Sequence, residues 1–529
     1  MHFNKTITYI IYLNFSILSG ILLTLSFPNW NISWLAWISL IPVLYAAGHS
    51  SIFFAFMCGG VTGLFHYFSL MYWIASTLTQ LVHFSFITSC FIHVCLSMYL
   101  SLYIAIFVCL SRIKITSLLL RLMFVPCVWV CFEYLRTYFF SGFPWGIIGY
   151  SQYQTIHMIQ IADICGVYGV SFLIILFNWT LFLSFKLYWE NKHHTIKNPF
   201  KKPIQAILIG CFILISVYSY GVFRIQTFDD RLKTYPTARF AIIQGNINQS
   251  IKWNNRLKET ITRKYLTLSL NEQNNQPDLI IWPETALTYY FQEDNQYSVM
   301  VKSIIRSMRI YFLIGSPYYD YANSGTVRCF NTAFLINQNG QIENTYHKVH
   351  LVPWGEYVPL SNWLPIQKIT EGEIDFSSGQ IQSIPFRDNH IAIQICYEII
   401  FPDITRSIVK QHANILINQT NDAWFGHTSA AYQHFSMTIF RAIENRRALI
   451  RCANTGISGW IDPIGRIQYQ SPIFTEDTKT FTVPLIENQS VYTYFGDWFI
   501  IICFVFLGII LWRPLQLQIE KLLNRDSLT

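Results

Sequence analysis

Charged residues are scarce in this chain of 529 residues. Asp, Glu, Lys and Arg together make up only 12% of it, and the mean hydropathy is +0.32. Soluble globular proteins carry about 25% charged residues, so roughly half of the usual polar surface is missing. Hydrophobic residues account for 52% of the sequence and aromatic residues for 17%. This composition excludes an intrinsically disordered chain and a coiled coil, and it argues against a simple cytosolic enzyme.

Acidic residues are nearly absent from the first 224 positions. Only three of the 29 in the chain, Glu133, Asp163 and Glu190, lie there. A stretch so poor in carboxylates is typical of bilayer-spanning segments, because a charged side chain is costly in hydrocarbon. The sequence therefore predicts three regions: a transmembrane bundle over 1–224, an external domain over 225–490, and a last span with a short basic tail over 491–529.

Several common site motifs are also missing. The chain has no Cys-x-x-Cys pair, Walker sequence or Gly-x-Gly-x-x-Gly loop, and nine of its twelve Cys lie in apolar stretches, so no disulfide framework is indicated. The pairs His347 and His350, and His427 and His434, lack a carboxylate or thiol to complete a metal-ligand set. The net charge of +8 comes from scattered Lys and Arg without a nucleic-acid motif. We therefore expect no cofactor, no metal and no nucleic-acid partner.

What the chain does contain is a series of long apolar runs. A helix needs about 20 apolar residues to cross about 30 Å of hydrocarbon. Eight runs are near this length, and they cover 7–25, 33–48, 52–76, 81–110, 117–134, 167–189, 204–223 and 494–512. The sequence thus predicts a polytopic α-helical membrane protein with about eight spans, seven of them before the polar region.

Basic residues between the runs set the predicted orientation, since cytoplasmic links are rich in Lys and Arg. The links after the fourth and sixth runs and the C-terminal tail carry Arg112, Lys114, Lys192, Lys197, Lys201, Lys202, Arg513, Lys521 and Arg525. The links at 26–32 and 77–80 carry none. We expect both termini in the cytoplasm and the domain 225–490 on the outer side of the membrane. In a bacterium with an inner membrane, that side is the periplasm.

The link at 135–166 is rich in Gly, Pro and aromatic residues, as in Gly142–Gly146 (Gly-Phe-Pro-Trp-Gly). Trp and Tyr prefer the headgroup level of a membrane, so the link fits a turn with aromatic anchors. It also fits a shaped entrance through which lipid reaches an external site. The sequence leaves both interpretations open.

From about Ala238 the apolar pattern changes to short β runs. Strands are predicted at 239–244, 278–282, 311–315, 330–336, 342–347, 390–396 and 413–418, and helices at about 255–272, 296–309, 401–411 and 430–446. The Asn-Gly step at 339–340 favours a hairpin between two of these strands. Strands that alternate with helices, together with a hairpin, indicate a layered α/β or α+β domain.

Three predicted strands end in residues whose chemistry is complementary. Glu284, Lys348 and Cys396 each follow a strand. Cys is a nucleophile only as the thiolate, so it needs a base to take its proton or a cation to lower its pKa. A carboxylate, an ammonium and a thiol form a complete acyl-transfer set, in which the ammonium and a backbone N–H after the Cys would stabilise an oxyanion.

Each of these residues also has a purely structural explanation. A Cys after an apolar strand is commonly a small core residue, and a Lys beside an apolar segment commonly extends along it to reach water. Cys329 and Cys452 have no carboxylate nearby in the sequence, and we interpret them as core residues. Only the co-occurrence of three complementary groups at strand ends favours a site.

Three segments resemble the signature blocks of the nitrilase (carbon–nitrogen hydrolase) superfamily: Ile280–Glu284, Lys348–Pro359 and Ile395–Glu398. The wording of the second block and the eight apolar runs resemble the apolipoprotein N-acyltransferase family, over nearly the whole chain. One departure is Trp354, where the family commonly has Phe. The resemblance implies a nitrilase-like αββα sandwich inserted before the last span of the membrane bundle.

The resemblance also implies a role for individual residues. Glu284 would be the general base, Lys348 the stabiliser of thiolate and oxyanion, and Cys396 the nucleophile that carries the acyl group. Glu356 would orient the lysine or the base. Six further residues would support the site: Tyr397 and Glu398, which shape the pocket beside the nucleophile; Trp253, on a mobile lid; and, less specifically, Asn331, Asn418 and Asn421, which frame the pocket.

The implied reaction is a two-step, ping-pong acyl transfer. Cys396 would take an acyl chain from a phospholipid, with phosphatidylethanolamine as the expected donor. The thioester would then acylate the N-terminal diacylglyceryl-cysteine of an apolipoprotein in the inner membrane, and the enzyme would act as a monomer.

Two alternatives stay open from the residues themselves. One is a membrane-tethered nitrilase-type amidase, although a small soluble substrate would not need seven spans. The other is a transporter or receptor with an external binding domain. Intramembrane charge is sparse, essentially Glu133 and Arg121, which leaves little material for a polar path through the membrane.

Overall fold

The computed structural model describes residues 2–80, 82–193, 199–358 and 375–526. Lys197 and Pro359, which the sequence analysis named, lie outside the described residues. The chain forms two compact units. The first runs up to Tyr72 and continues over Phe91–Val222 and from Asp497 onward, and the second comprises Trp73–Cys90 and Phe223–Gly496.

The first unit is helical. Helices that contribute to it are His2–Leu25, Ile41–Gly48, Ile52–Leu70, Phe86–Leu110, Leu118–Tyr138, Ile156–Ile159, Ala162–His193, Lys201–Leu232 and Trp498–Asp526. Small residues allow two of these helices to pack closely: a Cβ added at Gly63 would lie 2.6 Å from the Cα of Ser101. Such close approach of helices at small residues is common in membrane bundles.

Six helices in the described part of the chain are long and apolar enough to cross a membrane: Lys5–Leu25, Ile52–Leu70, Phe86–Leu110, Leu118–Tyr138, Ala162–Lys192 and Lys201–Leu232. The predicted runs 33–48 and 494–512 correspond to shorter apolar helices, Ser33–Gly48 and Trp498–Trp512. The polytopic helical character is confirmed, and the count of eight spans stays a prediction.

The third predicted run, 52–76, differs from the structure. Its helix ends at Leu70, and a separate short helix, Trp73–Gln80, follows and belongs to the second unit. The hydropathy of Trp73, Ile74 and Ala75 resembles that of a span, so the apolar pattern could not reveal the break. Residues Trp73–Cys90, which include the end of the third predicted run and the start of the fourth, therefore belong to the second unit.

The link at 135–166 is packed against the helices of the first unit. Trp145 and Tyr150 are both buried at 1% exposure. Arg136 Nη1 donates to the carbonyl of Trp145 at 2.8 Å, and the N–H of Ile148 donates to Glu133 Oε1 at 2.8 Å. Arg136 and Glu133 thus bind backbone groups of the link. This contact gives a structural role to two of the few charged residues in the helical unit.

The second unit contains two six-stranded sheets. In chain order the strands are β1 (Thr237–Gln244), β2 (Leu279–Ile281), β3 (Tyr311–Tyr321), β4 (Val327–Ile336), β5 (Ile342–His347), β6 (Ile384–Phe386), β7 (Asn389–Ile395), β8 (Ile415–Thr420), β9 (Leu449–Ala453), β10 (Gly459–Ile461), β11 (Ile467–Gln470) and β12 (Asp477–Pro484). One sheet has the order β12-β1-β2-β3-β4-β5 and the other β11-β10-β9-β8-β7-β6. Each sheet has three parallel strands at its centre, β1–β3 and β7–β9, flanked by antiparallel strands.

The two sheets face each other and are covered by helices on their outer sides. Between the sheets, the Cys452 thiol on β9 donates to the carbonyl of Ile281 at 3.2 Å. Helices Lys258–Asn271 and Gln296–Met308 pack their apolar residues on the first sheet. Helices Pro402–Val409 and Ala430–Asn445 contact the second. The αββα sandwich is therefore confirmed, and Cys452 is the buried core residue that the sequence suggested.

Seven of the twelve strands were predicted from the sequence, including the hairpin of β4 and β5. Strands β9 to β12 and the short β6 were not. Strand β9 (Leu-Ile-Arg-Cys-Ala) is fully buried although it contains Arg451, so it does not show the pattern of an apolar strand. Strand β12 lies at the edge of the first sheet. Its first half consists of polar residues, so it lacks the apolar run by which the other strands were predicted.

Candidate active site

Glu284 lies three residues beyond the end of β2, in a tight passage of the backbone. Glu284 is 8% exposed, and the residue after it, Thr285, has a positive φ of 45°. Gly315 on β3 makes this path possible: a Cβ there would lie 2.4 Å from the carbonyl oxygen of Pro283 and 2.9 Å from the Cα of Glu284. Because Gly315 has no side chain, the backbone at Pro283 and Glu284 can pass close to β3.

Cys396 begins a single helical turn directly after β7. Its φ is +53°, a conformation that residues with a side chain adopt rarely and at a cost. Such strain persists only where surrounding contacts fix it. A nucleophile on a sharp turn at the end of a parallel strand projects from the edge of the sheet, because the chain reverses direction beneath it.

Lys348 follows β5 and joins the carboxylates into one cluster. Its Nζ lies 2.9 Å from Glu356 Oε1 and 3.5 Å from Glu284 Oε1. Its side chain is 1% exposed, while those of Glu284 and Glu356 are 9% and 12% exposed. The structure therefore brings together three of the predicted site residues. Glu356 is itself fixed, since its Oε2 accepts from the N–H of Val352 at 2.8 Å.

Asn331 on β4 bridges the two carboxylates. Its Nδ2 donates to Glu284 Oε1 at 2.8 Å and to Glu356 Oε1 at 3.0 Å. Its backbone carbonyl accepts from the N–H of Lys348 at 2.9 Å. One residue thus contacts Glu284, Glu356 and Lys348. The sequence analysis assigned Asn331 only to the frame of the pocket, because Asn on a strand carries no specific signal.

Burial and neighbouring charges shift the pKa values of Lys348 and Cys396. Burial alone would lower the pKa of Lys348, but Glu356 and Glu284 outweigh that effect and raise it. Burial raises the pKa of the Cys396 thiol, with a further contribution from Glu284, while Lys348 and a hydrogen bond with Thr420 oppose the rise. These shifts favour an ammonium at Lys348 and a neutral thiol at Cys396.

Lys252 is a buried cation that sequence analysis missed. It is 1% exposed, and its Nζ donates to the backbone carbonyl of Glu284 at 3.3 Å. Burial lowers its pKa to about 8 against the attraction of Glu284 and Cys396. It ends a short helix, Gln249–Lys252, in a polar stretch where a lysine is expected to face solvent.

We expect Lys252→Met to change how stability depends on pH. The pKa of Lys252 falls from 10.5 to about 8 on folding. The unfolded state therefore binds more protons between these values, and the free energy of unfolding of the wild type rises across this window, by at most about 3 kcal/mol. The variant lacks this rise. Thermal unfolding at pH 7 and pH 10 should show that the stability of the wild type relative to Lys252→Met is greater at pH 10. Exposed Lys410→Met is the control. A stability difference that does not change with pH would contradict the assignment.

The remaining predicted residues surround the nucleophile in different ways. Tyr397 follows Cys396, and its ring centroid lies 5.3 Å from that of Phe401. Glu398 is fully buried and accepts four hydrogen bonds, from the N–H groups of Val349, His350 and Ile395 and from the hydroxyl of Tyr346. Trp253 is 40% exposed, next to Lys252. Its ring therefore lies outside the hydrogen-bonded cluster of the described residues.

A second charged network lies behind Cys396, and of its residues the sequence analysis assigned only Asn418 to the site. Asp422 Oδ2 accepts from Arg451 Nη2 at 2.7 Å, and Asp422 Oδ1 lies 3.0 Å from His434 Nδ1. His434 Nε2 lies 3.3 Å from the carbonyl oxygen of Cys396. Arg451 also binds Asn418. These residues come from four separate segments of the chain, so no local motif could have grouped them.

The comparisons with known proteins identify the family of both units. Residues 19–180 match the family model of the apolipoprotein N-acyltransferase N-terminal domain, and residues 239–491 match that of the carbon–nitrogen hydrolase. Apolipoprotein N-acyltransferase of Geobacter metallireducens is 39% identical over 92% of this chain and 92% of its own. The chain belongs to the apolipoprotein N-acyltransferase family.

Two other similar proteins carry the same name. Apolipoprotein N-acyltransferase 1 of Treponema denticola is 30% identical over 95% of this chain and 96% of its own. The Rickettsia prowazekii protein is 29% identical over 85% of this chain and 88% of its own. The family resemblance inferred from the motifs is confirmed, and with it the assignment as an acyltransferase with a nitrilase-like domain. The six apolar helices and the family together indicate a bacterial membrane protein.

Proposed function

We propose that this acyltransferase moves an acyl chain from a phospholipid, phosphatidylethanolamine in the first instance, to the α-amine of an apolipoprotein's N-terminal diacylglyceryl-cysteine. The observation that carries this proposal is the buried cluster of Glu284, Lys348 and Glu356, which acts electrostatically on a thiol at a strained strand end. The relatives are named for the transfer to apolipoprotein. A thiol, a carboxylate and a fixed ammonium supply a nucleophile, a base and an oxyanion donor.

In the first step Glu284 takes the proton of the Cys396 thiol while the sulfur attacks the ester carbonyl carbon of the phospholipid. The negative charge that forms on the carbonyl oxygen is stabilised by Lys348 Nζ and by the N–H of Tyr397. The carbon–oxygen ester bond then breaks, and Glu284 returns the proton to the departing alkoxide. The products are a thioester at Cys396 and a lysophospholipid.

In the second step the free α-amine of the acceptor attacks the thioester carbonyl. Glu284 takes a proton from the attacking amine, and the carbon–sulfur bond breaks. Glu284 then passes this proton to the departing sulfur of Cys396. The product is an amide on the acceptor, and the enzyme returns to its starting state. Water must stay away from the thioester in between, because hydrolysis would release the acyl chain as free acid. Trp253, beside the buried Lys252, is the residue we assign to covering the site.

The location of the site follows from the substrates. Both are amphiphiles held in one leaflet, so a domain at 225–490 between the bundle 1–224 and the last span 491–529 can meet both. We assign this domain to the periplasmic side of the inner membrane, with cytoplasmic termini, because the basic links after the fourth and sixth runs would then lie inside. One chain carries all the groups of the mechanism, so a monomer suffices.

The test is to trap the acyl-enzyme without an acceptor. Purified protein is incubated with phosphatidylethanolamine that carries a radiolabelled sn-1 acyl chain. We expect hydroxylamine-labile label on the peptide that contains Cys396, with one lysophospholipid released per label. Added diacylglyceryl-cysteinyl peptide should then take the label into a hydroxylamine-stable amide. Label on another residue, or no label, contradicts the thioester mechanism, and turnover of a small amide without lipid labelling favours the tethered amidase.

A further inference from the structure

A buried histidine contacts the carbonyl group of the peptide unit that joins Cys396 to Tyr397. His434 lies on helix Ala430–Asn445 and is 1% exposed. Its Nε2 lies 3.3 Å from the carbonyl oxygen of Cys396. A carbonyl oxygen only accepts hydrogen bonds, so Nε2 must carry the proton and donate.

The other ring nitrogen shows that this donation does not depend on the charge of the ring. Nδ1 lies 2.9 Å from Arg451 Nη2, which only donates, and 3.0 Å from Asp422 Oδ1, which accepts when ionised. A neutral ring accepts from Arg451 through Nδ1, and a protonated ring donates to Asp422. In both states Nε2 keeps its proton, so the contact with Cys396 is retained.

The support behind the histidine is rigid. Asp422 and Arg451 are 1% and 0% exposed, and they form an ion pair of 2.7 Å. Thr420 Oγ1 also donates to Asp422 Oδ1, at 3.0 Å. A buried carboxylate with three polar partners has little freedom to reorient, so it holds the imidazole in one position.

The geometry of a peptide bond carries this restraint to the reacting atoms. A trans peptide is planar, and its C=O and N–H groups point in opposite directions. Fixing the carbonyl of Cys396 therefore fixes the direction of the N–H of Tyr397, the second oxyanion donor of the proposed mechanism. The positive φ of Cys396, +53°, makes such a restraint necessary, because the peptide would relax without one.

We propose that His434 is a positioning residue: by binding the Cys396 carbonyl, it aims the N–H of Tyr397 at the oxyanion. The inference rests on the thioester mechanism proposed above, but not on the identity of the acyl donor. It predicts a defect confined to reactions that pass through an oxyanion. Acylation of Cys396 by an ester forms one, whereas alkylation by iodoacetamide, a direct displacement at carbon, does not.

The experiment compares these two reactions in full-length protein in detergent. Acylation is followed by the burst of p-nitrophenolate from p-nitrophenyl butyrate, and alkylation by mass spectrometry of the Cys396 peptide after iodoacetamide. Three variants separate the functions of the ring. His434→Gln keeps a donor at the place of Nε2, His434→Asn keeps only a group at the place of Nδ1, and His434→Leu keeps neither.

We expect acylation to fall about 30-fold in His434→Leu and His434→Asn and to stay within about threefold in His434→Gln, since removal of an oxyanion donor itself costs 10²–10³. Alkylation should stay within about threefold in all three. His390→Leu, at the other end of β7, is the matched control and should react as the wild type does. Both rates are expressed per reactive Cys396, so a partial loss of folded protein does not change them. If His434→Leu does not accumulate, the comparison of His434→Asn with His434→Gln tests the inference.

Two outcomes overturn the inference. If acylation and alkylation fall in parallel, His434 supports the thiol or the fold rather than the oxyanion donor. If His434→Gln is as slow as His434→Asn, the contact with the Cys396 carbonyl is not what matters. A wild-type protein without a burst would instead overturn the thioester mechanism, whereas a wild-type burst without labelling by phospholipid would overturn only the proposed donor.

Discussion

Lys348→Met should leave the protein without measurable acyl-enzyme. The ammonium is the only charged oxyanion donor in the proposed mechanism, and loss of one such donor costs about 10²–10³ in rate. Lys348 also lowers the pKa of the Cys396 thiol against the effect of burial. Removing it thus makes the thiolate harder to form as well, and we expect at least about a 10³-fold fall in labelling of Cys396 from phospholipid.

The same change should raise the pH at which the thiol reacts. Without the ammonium, Asn331 Nδ2 is left between two carboxylates, Glu284 and Glu356. Lys348 also lowers the pKa of the Cys396 thiol, so that pKa should be higher once the ammonium is removed. The rate of Cys396 alkylation against pH should shift to higher pH in Lys348→Met, a result that a purely structural role of the lysine would not give.

A double variant separates chemistry from folding. Leaving buried carboxylates without their cation costs about 3–5 kcal/mol of stability. Lys348→Met with Glu356→Gln removes one of the two negative charges, so it should recover much of the thermal stability while acylation stays absent. Arg263→Met, which breaks an exposed ion pair of 2.8 Å with Glu259, is the control and should change neither by much. Recovered acylation in the double variant would show that Lys348 is not the oxyanion donor.

The reactive strand ends were predictable because of the topology of parallel sheets. Glu284 and Cys396 follow β2 and β7, the strands that lie inside the parallel parts of the two sheets. Apolar strands of this kind stand out in a sequence, and polar residues directly after them are conspicuous. Lys348 follows the hairpin of β4 and β5, which the Asn-Gly step indicated. The sequence therefore predicted the candidate residues Glu284, Lys348 and Cys396, while the contacts among Glu284, Lys348 and Glu356 are visible only in the structure.

The supporting groups were not predictable for a different reason. Asn331, Lys252 and His434 act through contacts with residues 47, 32 and 38 positions away. None of them belongs to a periodic pattern, and burial of Lys252 and Arg451 contradicts the ordinary preference of charged residues for the surface. Tertiary contacts alone give these side chains their roles. The short helix Trp73–Gln80 is a similar case, since its buried residue Trp73 packs against Phe425 within the second unit, at 5.0 Å between ring centroids.

Glu398 ties the nucleophile turn to the segment that carries the lysine. Its Oε1 accepts from the N–H groups of Val349 and His350 at 2.5 and 3.1 Å. Its Oε2 accepts from the N–H of Ile395 at 2.7 Å and from the hydroxyl of Tyr346 at 3.1 Å. Two of these donors follow Lys348 and one precedes Cys396. The buried carboxylate thus links the segment that follows Lys348 to the turn at Cys396.

Glu398→Ala should therefore cost both stability and rate. Four buried donors would lose their acceptor, at about 1–3 kcal/mol for each one left unsatisfied. A shift of about 1 Å between Lys348 and Cys396 would lower the rate of acylation about 10²-fold. Burial raises the pKa of Glu398 to about 7, so Glu398→Gln resembles its neutral form, keeps one acceptor oxygen, and should lie between wild type and Glu398→Ala in both thermal stability and burst rate. Exposed Glu343→Gln on β5 is the control; an alanine variant with normal stability and slow acylation would instead place Glu398 in direct contact with the reacting atoms.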